Sequence, residues 1–219
     1  MKTWNSIFGI IKSNLYLCEL QMTIYSMNSS RKSNDIIFRI YADPRTVFRT
    51  NDVAMLLGQS DAALVNRRLN YYVKTGRLLN PRRGFYAKQG YKSEELACLL
   101  YTPSYISMEY VLQKAGVVFQ YDSRITVVSY LSREVESDGN SFLYRRIKGE
   151  ILVDTDGLDQ QNNITIATPE RAFLDVMYLN KEYYFDNLNS LDKEKIIKLL
   201  PIYRSEQLRN RVLKRLENV

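Results

Sequence analysis

"LLGQSDAALVNRRLNYYVKTG", Leu56 to Gly76, decides how the chain is organised. Gly58 closes an apolar run, and only Gln59 and Ser60 lie between it and the next periodic segment, roughly Asp61 to Thr75. At about 100° per residue, Ala62, Val65, Leu69, Tyr72 and Val73 fall on one helix face. Ala63, Arg67, Asn70 and Lys74 fall on the opposite face, with no acid among them. Upstream, Thr50 is a good N-cap for a helix through Val53, Ala54, Leu56 and Leu57. Two short helices joined by so tight a glycine-containing turn predict a helix-turn-helix.

Working outward, Ile36, Ile37, Ile40 and Tyr41 share a helical stripe that Asp43-Pro44 ends, and Val47-Phe48 forms a short apolar stretch after it. On the other side, Gly76 caps the third helix. Arg77 to Leu79 then reads as a strand, Asn80 to Gly84 as a turn carrying Arg82 and Arg83 at its tip, and Phe85 to Ala87 as the returning strand. A hairpin directly after a helix-turn-helix makes the winged variant. In that geometry the third helix enters a groove and the hairpin tip lies over the sugar-phosphate backbone.

Arg pairs with guanine edges, Asn with adenine, and either cation with phosphate. The candidate DNA-binding set is therefore Ser60, Ala63, Asn66, Arg67, Asn70 and Lys74 on the turn and third helix, with Arg82 and Arg83 on the wing. A solvated helix face would show the same residues, and a winged helix can also bind protein alone; the arginine-tipped hairpin favours DNA.

The charge distribution agrees. The formal net charge is +7, yet residues 31–92 hold thirteen Lys and Arg against four Asp and Glu, whereas residues 93–219 hold sixteen against nineteen. A basic segment of this length beside a mildly acidic remainder suggests an anion-binding domain joined to one with another task. The expected domains are residues 1–30 as an N-terminal extension, 31–92 as a winged helix-turn-helix, and 93–219 as a mixed α/β domain with terminal helices, making the class α+β. Met22 and Met27 leave open a later start of translation.

The composition closes off much chemistry. The chain has no histidine, which removes Ser/His/Asp and Cys/His triads and most zinc sites, and its two cysteines, Cys18 and Cys98, have nothing at ligand spacing. Neither a P-loop nor Gly-x-Gly-x-x-Gly occurs, so no cofactor is expected. Asp154 and Asp156 resemble the metal-holding pair of a nucleotidyltransferase, but no Gly-Ser loop precedes them, and an acidic turn is the better expectation. Asp192-Lys193-Glu194-Lys195 reads as a capped surface turn and not as a nuclease motif. No apolar run approaches the roughly 20 residues needed to span a bilayer, and the N-terminus makes a poor signal peptide, so a cytoplasmic protein without a membrane partner is expected.

In the second half, Ser93 is expected to cap a helix to Tyr101, Thr102-Pro103 to break it, and Ser107 to open a helix ending at Gly116. Strands are expected at Val117 to Tyr121, Ile125 to Tyr130, Phe142 to Ile147, Ile151 to Val153 and Ile164 to Ala167. Thr168-Pro169-Glu170 then starts a helix, and two helices close the chain near Asp192 to Leu200 and Ser205 to Glu217. Glu170 and Asp175 are read as structural, Asp175 pairing with Arg171. Tyr121, Tyr130 and Tyr144, three of the seventeen tyrosines, are on expected strands and are candidates for base stacking.

The stretch Ser104-Tyr105-Ile106-Ser107, the strand Phe142-Leu143-Tyr144-Arg145-Arg146-Ile147 and above all "IATPERAFLDVMYL", Ile166 to Leu179, resemble the AbiEi family of antitoxins. With the helix-turn-helix in front, the resemblance covers about Asp35 to Leu179. It implies a two-domain protein of a type IV toxin-antitoxin, or abortive-infection, system acting in phage defence. The N-terminal domain would repress its own operon by binding double-stranded promoter repeats. The C-terminal domain would oppose a nucleotidyltransferase toxin without a stable complex and without enzymatic activity. Arg145, Arg146 and Lys148 are the possible basic strand edge of that second domain. The alternatives are a nucleic-acid-directed enzyme in the C-terminal domain and a transcription factor with no toxin partner.

Overall fold

The computed structural model describes residues 36–59 and 61–217. They form a mixed α+β fold of helices and two sheets. The described residues divide into two compact units: one holds residues 36–44 together with the described part of 49–78, and the other holds Arg45–Phe48 together with residues 79–217. The expected extension, residues 1–30, with Cys18, Met22 and Met27, lies outside the described residues, as does Ser60.

The first unit contains α1 (Ile36–Ala42), α2 (Thr50–Leu57) and α3 (Ala62–Lys74). α2 packs on both of the others, and Ile36, Ile40, Val53, Val65 and Leu69 are buried. The residue that caps α2 is Arg49 and not Thr50: the Asp52 carboxylate accepts the Arg49 amide at 2.8 Å, while the Thr50 hydroxyl donates to Asn66 Oδ1 at 3.3 Å. Gly58, at φ 62°, ends α2 in the left-handed conformation that a side chain would strain. Asp61 Oδ1 starts α3 by accepting the amides of Ala63 and Leu64 at 2.9 and 3.0 Å. Ala62, expected on the inner face, is exposed, because it is the first residue of the helix. At the far end Gly76, at φ 70°, lets the Arg77 amide turn back to Tyr72 O at 2.8 Å.

In the second unit, Val47 and Phe48 belong to β1 (Val47–Arg49), which pairs in a three-stranded sheet of order β1-β3-β2 with β2 (Leu79–Arg82) and β3 (Phe85–Ala87). The hairpin register differs from expectation. Arg77 precedes the strand, Arg82 is its last residue and faces Phe85, and only Arg83 and Gly84 form the turn. Asn80 holds this shape, its amide donating to Arg82 O at 3.0 Å and Phe85 O at 2.7 Å.

The larger sheet has the order β6-β7-β5-β4-β9-β8. Its strands are β4 (Ser104–Ile106), β5 (Ile125–Ser129), β6 (Arg133–Ser137), β7 (Asn140–Arg146), β8 (Leu158–Gln161) and β9 (Ile164–Ala167). The parallel pairs β5/β7 and β4/β9 sit inside antiparallel edges. Helices α4 (Ser93–Leu100), α5 (Glu109–Lys114), α6 (Gly149–Leu152), α7 (Pro169–Leu179), α8 (Lys193–Leu199) and α9 (Glu206–Glu217) complete it, with a 3-10 turn, Leu200–Tyr203, between the last two. α7 begins as expected: Thr168 Oγ1 accepts the Arg171 amide, Pro169 occupies the first turn, and every residue from Glu170 to Met177 is buried.

Four expectations are corrected. Val117–Tyr121 is not a strand, since the Val117 carbonyl accepts the amides of Asp186 and Asn187 and so has no sheet partner. Ile151 and Leu152 lie in the helical turn α6. Ser93 does not cap α4 but is its first residue, after Lys92. Ser107 does not open a helix, which starts at Glu109, because its hydroxyl donates to Asp175 Oδ2 at 2.7 Å.

Candidate nucleic-acid interface

α3 carries three cations, Arg67, Arg68 and Lys74, and no acid. Ala63, Arg67, Asn70 and Lys74 are all exposed. Arg67 to Lys74 spans two turns, about 10 Å along the axis, a length that fits a few successive base pairs. Asn66 stands apart, half-buried beside α2 with Oδ1 already accepting from Thr50. Arg68 and Tyr71, the latter 58% exposed, flank the stripe and were not singled out from the sequence. Their signal was present in the same helical period, one step round from Arg67 and Asn70.

On the hairpin the two arginines differ. Arg83 is exposed at the turn, whereas Arg82 ends β2 half-buried. Its positive charge reaches Tyr144, whose hydroxyl burial pushes far above its ordinary pKa and Arg82 pulls slightly back. The hairpin is anchored on the larger sheet by Ser137 Oγ, which donates to Pro81 O at 2.6 Å.

Arg145, Arg146 and Lys148 do not make a basic edge. β7 lies between β6 and β5, and alternation along it sends Arg145 and Arg146 to opposite faces. Arg145 donates to Asn180 Oδ1 at 3.4 Å. Arg146 and Lys148 share an open cavity of about 620 Å³ with Tyr130, Glu150 and Tyr178. Among the stacking candidates, Tyr144 is excluded: it is fully buried, with its hydroxyl donating to Ala97 O at 2.7 Å. Tyr121 and Tyr130 are exposed, Tyr121 in a loop and Tyr130 just after β5.

The second unit encloses a polar network. The Arg171 guanidinium donates to Ile151 O at 2.8 Å, Asp156 O at 2.9 Å and the Tyr105 hydroxyl at 3.3 Å. Asp175 accepts from Ser107, from Tyr203 and from Tyr105 at 3.2 Å. Burial pushes the Asp175 carboxyl up from its ordinary value, opposed by Arg171 and these three hydroxyls. The pair Asp154 and Asp156 is absorbed into this arrangement. Asp154 Oδ1 accepts the Asp156 amide at 3.0 Å and lies 3.9 Å from Arg171, in the acidic turn expected. Asp192 caps α8 through the amides of Glu194 and Lys195, again the capped turn expected. No described helix is long and apolar enough to cross a membrane.

No family model and no curated protein matches the chain. Among solved structures, the RV2827C protein from Mycobacterium tuberculosis is similar at 14% identity and a TM-score of 0.46, over 83% of this chain and 74% of that one.

Proposed function

We propose that the protein is a cytoplasmic winged helix-turn-helix repressor of its own promoter and the antitoxin of a type IV toxin-antitoxin system. The observation that carries the DNA-binding half is the exposed stripe Arg67, Asn70 and Lys74 on a helix without a single acid. The element order α1-β1-α2-α3-β2-β3 and the sheet order β1-β3-β2 support a winged helix, with Arg83 at the wing tip. The antitoxin half is supported by the family resemblance of Ile166 to Leu179. That segment forms the entry to α7 and its buried body, so its residues serve the core of the C-terminal unit. The C-terminal unit is proposed to act without catalysis: the Asp175 carboxylate is engaged by three hydroxyls and that of Asp154 by the Asp156 amide, while Asp156 meets Arg171 through its backbone carbonyl.

The deciding experiment is a gel shift of the full chain on the DNA upstream of its own reading frame, against a scrambled duplex. A shift confined to the native duplex and lost in Arg67→Ala/Asn70→Ala is expected; equal binding of both duplexes would sink the repressor assignment. Co-expression with a neighbouring nucleotidyltransferase separates antitoxin from plain transcription factor, since only an antitoxin restores growth.

A further inference from the structure

A cavity of about 420 Å³ opens in the second unit between α5, the segment 117–124, β7 and the loop after α7. Ordinary small-molecule sites span roughly 300–1,000 Å³. Two loops at its mouth are tied together: the Val117 carbonyl accepts the amides of Asp186 and Asn187, and the Phe119 amide donates to Asp186 Oδ2 at 2.7 Å. Tyr121, 86% exposed, and Tyr183 are thereby brought to one cavity. Four charged side chains line it, two acids and two arginines, and three of them have partners. Arg124 meets Asp122 at 2.7 Å and Glu134 at 3.2 Å, and Arg145 donates to Asn180 Oδ1 at 3.4 Å. Glu109 differs: its Oε2 is shielded from solvent and has no hydrogen-bond partner among the described residues. A shielded carboxylate oxygen without a donor is unfavourable and calls for an explanation. Strain precedes it in the chain. Met108, fully buried, holds φ 58° and ψ −134°, a backbone conformation that a side chain strains, and so delivers Glu109 to this wall.

We infer that this cavity binds a guanine base, carried by a nucleotide or by a single strand. The unfilled carboxylate oxygen needs N–H donors. The last torsion of a glutamate is soft, so a ligand in the cavity can draw both oxygens to itself. A cation would supply donors, but Arg124 and Arg145 leave the lining neutral and repel a second positive charge. A neutral ligand with adjacent N–H donors remains. Among the bases only guanine presents N1–H and the 2-amino group side by side, a pair that matches the two oxygens of one carboxylate, and its O6 and N7 accept from a guanidinium. Adenine lacks the donor pair, and cytosine and uracil set an acceptor beside each donor. Tyr121 and Tyr183 offer rings to the faces of the base. The cavity lies wholly in the second unit, so the assignment does not depend on what α3 binds.

The test is calorimetric titration of the full chain with GMP, IMP, AMP and CMP. GMP should bind at one site. IMP, which keeps N1–H and O6 but lacks the 2-amino group, should bind about tenfold more weakly, as befits one hydrogen bond to a charged group, and AMP and CMP more weakly still. Glu109→Gln should weaken GMP at least about tenfold, because its amide nitrogen opposes a donor of the base. Its melting temperature should hold or rise, since the removed carboxylate had an oxygen without a donor; a marked fall would assign Glu109 to the fold and overturn the inference. Glu150→Gln, in the other cavity, should leave binding intact. The tetranucleotides UGUU and UAUU identify the carrier: UGUU binding tighter than GMP and lost in Glu109→Gln names a single strand, and UGUU binding no tighter than GMP names the free nucleotide. No binding of GMP, equal affinity for GMP and AMP, or equal affinity for GMP and IMP in the unaltered chain would overturn the assignment.

Discussion

Asp175 and Arg171 face each other one helical turn apart, carboxylate oxygen 3.7 Å from guanidinium Nε, with both side chains fully out of solvent. The separation is too long for a hydrogen bond, and the two are linked instead through Tyr105, which accepts from Arg171 and donates to Asp175. α7 is thereby joined to β4 through Tyr105 and to the 3-10 turn through Tyr203.

Asp175→Ala leaves the guanidinium buried with only the part-exposed Asp154 carboxylate, 3.9 Å away, as counter-charge, strands the Ser107 hydroxyl and leaves that of Tyr203 with the Arg171 carbonyl alone. Loss of about 3–5 kcal/mol is expected, as for other broken buried pairs. A urea unfolding midpoint that drops with an unchanged slope would show it; a cost below about 1 kcal/mol would mean that the network is not structural.

On operator DNA, Arg67→Ala and Asn70→Ala should each cost about 1–3 kcal/mol and relax the sequence preference. Asn66→Ala should cost less, since its amide oxygen is already committed to Thr50. Competition binding against base-substituted duplexes reads both effects.

Arg83→Ala should weaken binding to every duplex alike and reduce the salt slope by about 0.9 log units per log unit of salt. Arg82→Ala should change the slope less, being half-buried at the strand end. An unaltered slope for Arg83→Ala in a salt titration removes the wing from the interface.

Alkali should unfold the protein cooperatively. Burial, assisted by Asp138, pushes the Tyr91 hydroxyl up to about 12, and burial, assisted by nearby carboxylates, does the same for Tyr183. An unfolded tyrosine ionises near 10. Between those values the folded chain holds protons that the unfolded chain releases, so the contribution is complete below about pH 10 and is lost as pH rises toward 12. Phenolate absorbance should therefore lag and then appear together with loss of structure; independent, gradual ionisation would contradict it.

The parts legible in the sequence were those whose local chemistry and tertiary environment agree. α3 has a clean apolar face, and Thr168-Pro169 is a strong start signal that the buried α7 then uses. The edge strands β6 and β8 were missed because little of them is buried: in Arg133–Ser137 only Val135 and Ser137 face inward, and β8 has no buried residue. Apolar content alone misled at Ile151, which is buried from a helical turn.

The placement of Arg45–Phe48 with the second unit limits how this chain can be cut. β3 is the middle strand of its sheet, and the strand on one side of it comes from upstream of α2. A fragment starting at Leu79 would lose β1 and expose a row of unpaired amides and carbonyls along β3, a template for intermolecular pairing. The proposed repression and the proposed toxin neutralisation are therefore better separated by point substitutions in the intact chain than by truncation, and insolubility of such a fragment would report a torn sheet and not a missing function.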